Sequence, residues 1–215
     1  MAWEILLQNM GLLLNGYKMT VIITLISYVI ALLFGIVLAS IRKAQIKYTS
    51  NLVGKFVDLM RSMPLLMVIF WFYFFLPVVT GRPMHPLVTI IVGLSIFYAT
   101  YIAEVVRAGI ASVPDGQMLS AISSGLSYTE VMRFVILPQA LRNMVPALMT
   151  LFVSLYLSSS LAYIIGVNEF FRMATIINSR AFQSLTIFGF VAFVYFATAY
   201  PLSLLSRKLE RRIIR

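Results

Sequence analysis

The chain has 215 residues, of which 61% are hydrophobic and 11% are charged, whereas soluble domains carry about 25% charged residues. This shortage of charged side chains argues against an ordinary soluble domain and indicates an integral membrane protein. The sequence has no cysteine, which excludes disulfides, thiolate metal sites and a cysteine nucleophile, and its single histidine excludes a metal site built from several histidines.

Five long windows of the sequence contain no Asp, Glu, Lys or Arg. Each is about as long as the ~20 residues that a helix needs to cross the hydrocarbon core of a bilayer. The windows are 19–41, 62–81, 83–103, 143–168 and 181–206. They predict an all-α, polytopic membrane protein with five transmembrane helices, near 19–41, 62–81, 84–104, 143–166 and 183–206.

Residues 5–17 are also uncharged, but they are too few to span a bilayer comfortably. They fit either an amphipathic helix along the membrane interface or an extension of the first span. We divide the chain into an amino-terminal interfacial segment (1–16), a transmembrane domain (17–206) and a basic cytoplasmic tail (207–215).

The first window carries small and hydroxyl-bearing side chains at intervals along its length. These residues are Thr20, Thr24, Ser27, Gly35 and Ala39. Small residues let helices approach closely in lipid, so this part of the helix is predicted to pack against a neighbour.

The basic residues are distributed unevenly between the two ends of the predicted spans. Of the 17 Lys and Arg residues, only Lys18, Arg82, Arg172 and Arg180 lie on the side that the amino terminus occupies. Because cytoplasmic loops are rich in Lys and Arg, the amino terminus is predicted outside and the carboxy terminus inside. The net charge of +10 is then explained by membrane topology and contact with anionic lipid, and no nucleic-acid partner is expected.

The longest mixed polar and apolar segment, residues 112–142, lies between the third and fourth windows. A short helix is predicted over 117–124, in which Met118, Leu119 and Ile122 are spaced to share a face. Gly125 is expected to end this helix, because glycine takes a left-handed turn without steric cost.

A second helix is predicted directly after this glycine. Ser127 and Glu130 have the spacing of a capping box, which marks a helix start, and Pro138 is expected to end or kink the helix. Two short helices bent at a glycine are too polar to span a bilayer and suit a docking surface.

Several motifs resemble one family. Val-Pro-Asp-Gly-Gln at 113–117, Gly125 and Ile-Leu-Pro-Gln-Ala at 136–140 resemble the cytoplasmic coupling loop of ABC-importer permeases for polar amino acids. Arg-Ser-Met-Pro-Leu at 61–65, with the aromatic run up to Leu-Pro at 76–77, is most similar to the glutamate/aspartate permeases. In this chain the loop's family glutamate falls on Leu119 and its first alanine on Ser120, which are two departures from the family pattern.

This resemblance covers nearly the whole chain. It implies a type I ABC importer transmembrane domain in the bacterial inner membrane, acting as a transport subunit and not as an enzyme. It also implies three partners: a cytoplasmic ABC ATPase dimer, a second permease subunit of the same or a sister chain, and an external substrate-binding protein. No metal or cofactor is expected on this chain, which lacks a G-x-x-x-x-G-K-[ST] loop, so ATP and Mg would be used by the ATPase.

The predicted functional residues fall into three groups. Contact with the ATPase is predicted for Gln117, Met118, Leu119, Ala121, Ile122, Gly125 and Leu126. Structural ion pairs are predicted from i,i+3 spacing for Asp58 with Arg61 and for Glu104 with Arg107. The translocation pathway is predicted to include Ser154, Ser158, Ser159 and Ser160.

Two of these predictions leave an alternative open. The serine hydroxyls could instead bond back to carbonyls of their own helix, and Ser158 occupies the position of an acidic residue in the family. Residues 168–172, Asn-Glu-Phe-Phe-Arg, are predicted to face outside, either as a contact for an external partner or as a surface helix without one.

Two other functions compete with an importer subunit. An ion-coupled carrier or channel for small polar solutes usually places ionisable residues near the membrane midplane, and the five windows contain none. A membrane enzyme needs convergent acid, base or nucleophile groups, for which one histidine and no cysteine leave little material. The family resemblance therefore implies ATP-driven import of polar amino acids, with glutamate and aspartate as candidate substrates and the carrier as the alternative.

Overall fold

The structure, a computed structural model, describes residues 2–43 and 47–213. Within these ranges the chain is helical nearly throughout and has no β-strand, which confirms the all-α prediction. The α-helices are α1 (Ala2–Gln8), α2 (Met10–Lys43), α3 (Lys47–Ser62), α4 (Leu65–Phe70), α5 (Leu76–Thr80), α6 (Pro86–Ala111), α7 (Asp115–Ser123), α8 (Tyr128–Glu130), α9 (Leu137–Ser158), α10 (Phe170–Ala181) and α11 (Ser184–Ile213). Two π-helical segments, Trp71–Phe75 and Val131–Ile136, and one 3₁₀ segment, Ser159–Ile165, join neighbouring helices.

Each predicted span has a helical counterpart. Four stretches are long and apolar enough to cross a membrane, or five if a pair of helices bent by 109° is counted as one span. The four are Met10–Lys43, Pro86–Ala111, Tyr128–Ile165 and Ser184–Arg211, and the bent pair is Tyr48–Ser62 with Leu65–Thr80. Several helices run past the predicted ends, because a charged residue limits the apolar window without ending the helix.

The amino-terminal residues favour one of the two interpretations that the sequence left open. Helix α2 begins at Met10, so residues 10–17 continue the first span, and only the short α1 precedes it. At 1.5 Å per residue its 34 residues measure about 50 Å, well beyond the ~30 Å of a hydrocarbon core.

The 109° bend between α3 and α4 falls at Pro64. This residue has extended backbone angles (φ −61°, ψ 134°), and proline also disfavours the helical conformation of the residue before it. Helix α3 is therefore roughly perpendicular to the span that follows.

Helix α6 is the central element of the bundle, and it packs against α2, α3, α4 and α9. Helix α6 approaches α2 closely at Gly35, where an added Cβ would lie 2.7 Å from the Ile102 side chain and 2.8 Å from the Ala99 carbonyl oxygen. The small residues predicted to pack on the first span are all buried. A second apolar cluster joins α1, the amino-terminal part of α2, α10 and α11.

Pro138 does not end its helix, contrary to one of the two outcomes predicted for it. The chain passes from the π-helical segment directly into α9, with Pro138 in the first turn of α9. A proline ring clashes with the carbonyl four residues earlier, here Phe134, and the wider π turn at that residue makes room for the ring. Helix α11 likewise continues through Pro201.

Candidate coupling surface and translocation residues

The predicted bend at Gly125 is built by local backbone hydrogen bonds. The Gly125 N–H donates to the Ile122 carbonyl at 2.9 Å, and the Leu126 N–H donates to the Ala121 carbonyl at 3.3 Å. Together they form a Schellman motif, which requires a left-handed residue after the helix, and Gly125 has φ +89°. The turn therefore depends on glycine at this position.

The predicted capping box is also present. The Ser127 N–H donates to the Glu130 carboxylate at 2.8 Å, and the Glu130 N–H donates to the Ser127 hydroxyl at 3.4 Å. The helix end at Gly125 and the helix start at Ser127 are thus each fixed by their own hydrogen bonds, so the bend between them has a defined geometry.

The predicted apolar face of α7 is divided between two sides of the helix. Ala121 is buried against Val131, Ile136 and Ala140, and Met118 and Leu126 pack on the same cluster. By contrast, Leu119 is 66% exposed and Ile122 is 47% exposed. The prediction of one shared face is therefore wrong, because adjacent residues on a helix are about 100° apart: Met118 and Ala121 point inward, whereas Leu119 and Ile122 point outward.

Two polar contacts join the residues before the Gly125 turn to α9. The Gln139 side-chain amide donates to the Gln117 side-chain oxygen at 2.9 Å, and the Asn143 amide donates to the Ser112 hydroxyl at 2.7 Å. The first contact joins α7 to α9 and the second joins the end of α6 to α9, so α7 is linked to the fourth span by a side-chain hydrogen bond.

An open groove of about 640 Å³ lies beside α7, next to the exposed Leu119 and Ile122 but not lined by them. Pro114, Gly116, Gln117, Ser120, Ala121, Ser124 and Leu126 line it. These side chains are small, neutral or weakly polar and none is titratable, so the groove can seat another protein but offers no group for acid–base catalysis.

A single carboxylate, Glu104, gathers three arginines at the same end of the bundle. Arg107 donates to it at 2.8 Å, Arg42 contacts it directly, and Arg61 lies 3.9 Å away. Partly exposed ion pairs contribute only about 0–1 kcal/mol each to stability. The main effect of the cluster is to fix the positions of α2 and α3 relative to α6, because Arg42 and Arg61 reach Glu104 from those two helices.

Of the two predicted ion pairs, that of Glu104 with Arg107 is present. The pair of Asp58 with Arg61 is not found among the side chains that the structure describes, although both residues are described. Arg61 instead turns toward Glu104 and lies over the Tyr101 ring, with its guanidinium carbon 5.1 Å from the ring centroid.

The four predicted pathway serines have different partners. Ser159 and Ser160 donate to carbonyls of their own helix, at 2.7 and 2.8 Å, which is the alternative that the sequence left open. The Ser158 hydroxyl meets the Tyr98 hydroxyl of α6 at 2.9 Å, and Ser154 is half-buried on α9. Their role in translocation stays a prediction.

Ser160 also lines a cleft of about 290 Å³ between α9, α10 and α11. The other lining residues are Leu157, Phe171, Phe188, Val191, Ala192 and Tyr195. The two polar groups of this cleft both have partners within the protein: the Ser160 hydroxyl donates to the Leu157 carbonyl and the Tyr195 hydroxyl to Glu169.

Glu169 is a buried residue whose role the sequence did not indicate. Its carboxylate accepts the N–H groups of Phe171 and Arg172 at 2.9 and 2.7 Å and the hydroxyls of Thr20 and Tyr195 at 3.3 and 3.4 Å. It therefore caps α10 and ties α10 to α2 and α11. Burial raises the pKa of Glu169 to about 7, while these four hydrogen bonds oppose the rise.

Two of the five side chains at 168–172 are not available for contact with an external partner, and the side of the membrane on which the segment lies stays a prediction. Glu169 and Phe170 are buried, and Phe170 packs in the cluster between α2, α10 and α11. The sequence did contain one signal for the capping role of Glu169. It is an acidic residue immediately before a helix, where side-chain oxygens accept hydrogen bonds from free backbone N–H groups.

Comparison with known proteins identifies relatives along nearly the entire chain. Residues 31–215 match the model of a family described as "binding-protein-dependent transport system inner membrane component". The chain is 36% identical over 208 residues to a probable glutamine ABC transporter permease, GlnP, of Bacillus subtilis, with 95% of each protein covered. It is 35% identical over 217 residues to the glutamate/aspartate import permease GltK of Escherichia coli O6:H1, covering 98% of this chain and 97% of GltK.

Solved structures share the fold. A chain from a crystal structure of an amino acid ABC transporter with histidines aligns with a TM-score of 0.90 and 29% identity, and 96% of each chain is covered. A chain of the MetNI methionine ABC transporter in an inward-facing conformation aligns with a TM-score of 0.75 over 97% of this chain and 99% of that chain. At 23% identity, this second similarity shows the fold alone.

Proposed function

The chain belongs to the binding-protein-dependent transport system inner membrane components, and on that premise we propose that it is the permease subunit of an ATP-driven importer of polar amino acids. Relatives named as glutamine and glutamate/aspartate permeases, at 36% and 35% identity, support a substrate of this chemical class. Glutamate and aspartate are our first candidates, because the motifs at 61–65 and 70–77 are most similar to those permeases.

The main structural support for this proposal is the exposed side of α7. Leu119 and Ile122 project from a short helix that ends at the Gly125 turn. Both apolar side chains are exposed in the isolated chain, so a partner protein could bury them. Full burial of such a side chain against a partner contributes about 1.5–3 kcal/mol. We propose that a cytoplasmic ABC ATPase covers them and drives the α9 span through α7.

Two such permeases, of the same or sister chains, would enclose the pathway above an ATPase dimer. ATP and Mg would bind the ATPase, because this sequence has no G-x-x-x-x-G-K-[ST] loop. An external binding protein would deliver the amino acid, as the family description implies. Our candidates for contact with the moving solute are the serines of α9 and of the adjoining 3₁₀ segment, together with the cleft beside Ser160.

Reconstitution tests this function directly. The complete transporter, in vesicles with ATP on the ATPase side and binding protein on the other, is expected to accumulate labelled glutamate or aspartate, with glutamine as the competing substrate. Vesicles that lack ATP or the ATPase are the controls and should accumulate none. Uptake by the permease alone, driven by an ion gradient, would instead support the carrier.

A further inference from the structure

A second, larger cleft lies at the α7 end of the bundle, outside the groove described above. It measures about 720 Å³ and opens between the ends of α2 and α6, the start of α3 and the α8–α9 region. Its polar lining is dominated by three cations, Arg42, Lys43 and Arg107, and no carboxylate is among the lining residues. Arg42 and Arg107 also belong to the ion cluster around Glu104, but the other residues that line this cleft belong neither to that cluster nor to the groove beside α7.

The positive charge in the cleft is only partly compensated. Arg42 and Arg107 share the carboxylate of Glu104, which Arg61 also approaches at 3.9 Å, and Lys43 contacts the sulfur of Met132 at 3.4 Å, which is a weak acceptor. The three lining cations therefore share at most one carboxylate among the described residues, and the cleft keeps a surplus of positive charge that an anion can neutralise.

The rest of the lining indicates that the anion carries a hydrocarbon part. Val106, Ile110, Met132 and Leu137 form an apolar wall beside the cations. A soluble anion would leave this wall in contact with water, whereas an amphipathic molecule would cover it. The cleft therefore combines a site for a charged headgroup with a site for an acyl chain.

Helix α3 places the cleft at a membrane surface. It is bent by 109° from the span that follows, and Ser50 brings it to the cleft through a 2.9 Å hydrogen bond to the Arg42 carbonyl. Tyr48, Leu52 and Leu59, spaced to share a helix face, are all strongly exposed. A helix that lies across the bundle axis with an exposed apolar face is typical of the bilayer interface.

We propose that this cleft binds one anionic phospholipid, with its phosphate between Lys43 and Arg107 and an acyl chain along the apolar wall. The lipid would bridge α2 and α6 to the π-helical segment that follows α8. Anionic lipids are abundant in the cytoplasmic leaflet, where basic residues next to a membrane attract them.

The test is lipid binding by the assembled transporter, so its outcome does not depend on which substrate is carried. The complex is delipidated in detergent and titrated with phosphatidylglycerol or phosphatidylcholine, and bound lipid is counted by native mass spectrometry. We expect one tightly bound phosphatidylglycerol per permease and no equivalent phosphatidylcholine. Lys43→Gln should weaken phosphatidylglycerol about fivefold, since one basic residue near an anionic surface contributes about 1 kcal/mol.

Two further variants distinguish binding in this cleft from general electrostatic attraction between basic residues and anionic lipid. Lys208→Gln removes the same charge from an exposed position of α11 outside the cleft and should leave the affinity unchanged. Ala111→Trp narrows the cleft without removing a charge and should weaken binding. Equal effects of Lys43→Gln and Lys208→Gln, no lipid retained by the assembled complex, or full displacement of the lipid by millimolar glycerol phosphate would each overturn the proposal.

Discussion

Replacing Gly125 by valine is expected to uncouple ATP hydrolysis from transport. An added side chain would meet no atom within 4 Å, so the cost comes from the backbone alone, which stays at φ +89°. A left-handed conformation costs an L-residue roughly 1–2 kcal/mol, and β-branching adds to that cost. The closed Schellman turn at the end of α7 is then disfavoured by roughly 5- to 30-fold or more.

The assay is the ratio of amino acid accumulated to ATP hydrolysed by the reconstituted transporter. This ratio should fall for Gly125→Val, fall less for Gly125→Ala, and fall least for Gly125→Asn, because asparagine tolerates the left-handed region. Gly189→Val is the control, since Gly189 lies on α11 away from the coupling loop, has open space around it and has no positive φ. An unchanged ratio for Gly125→Val, in a complex that still assembles, would refute the reasoning.

Two other predictions concern the stability of the assembled transporter, measured as its melting temperature in detergent. Gly35→Ala should destabilise it by about 1–3 kcal/mol, because the new Cβ meets the Ala99 backbone, whereas Gly11→Ala on the same helix has free space and should be neutral or slightly stabilising. Equal melting temperatures for these two variants would contradict the packing of α2 on α6. Glu169→Leu should cost about 2–4 kcal/mol by leaving buried N–H groups unpaired, while Glu210→Leu at an exposed position should change little; a tolerated Glu169→Leu would mean that α10 does not depend on this cap.

The membrane spans could be predicted from the sequence, but their ends could not. A window free of charge reports the thickness of the hydrocarbon core, and this signal identified the four long apolar helices and the second half of the bent pair. Helix α2 nevertheless continues to Lys43, and α11 continues through its basic residues to Ile213. Lys and Arg are good helix formers and can extend their charged ends into water, so a charge does not mark a helix terminus.

The coupling segment was predictable where its structure is local. Gly125 and the Ser127–Glu130 box act through residues three to five positions apart, so their sequence pattern was sufficient. The orientation of α7 was not local, because it depends on the apolar cluster that α9 and the π-helical segment present to Ala121. The sequence accordingly identified the exposed Leu119 and Ile122 but grouped them with the inward-facing Met118.

The polar clusters that join distant parts of the chain were least predictable. The i,i+3 rule proposed Asp58 for Arg61, but Glu104 lies near three arginines from three helices and Arg61 turns toward it. The partners of Glu169 on α2 and α11 are 149 and 26 residues away in the sequence. Spacing along one helix gives no information about such neighbours.

The most direct test of the account is the side of the membrane on which α7 lies. The protein has no cysteine, so Leu119→Cys provides a single labelling site on the exposed side of α7. A membrane-impermeant maleimide should label it in inside-out vesicles only, and the bound ATPase should protect it. Labelling in right-side-out vesicles would place α7 beyond the reach of a cytoplasmic ATPase and would contradict the coupling mechanism.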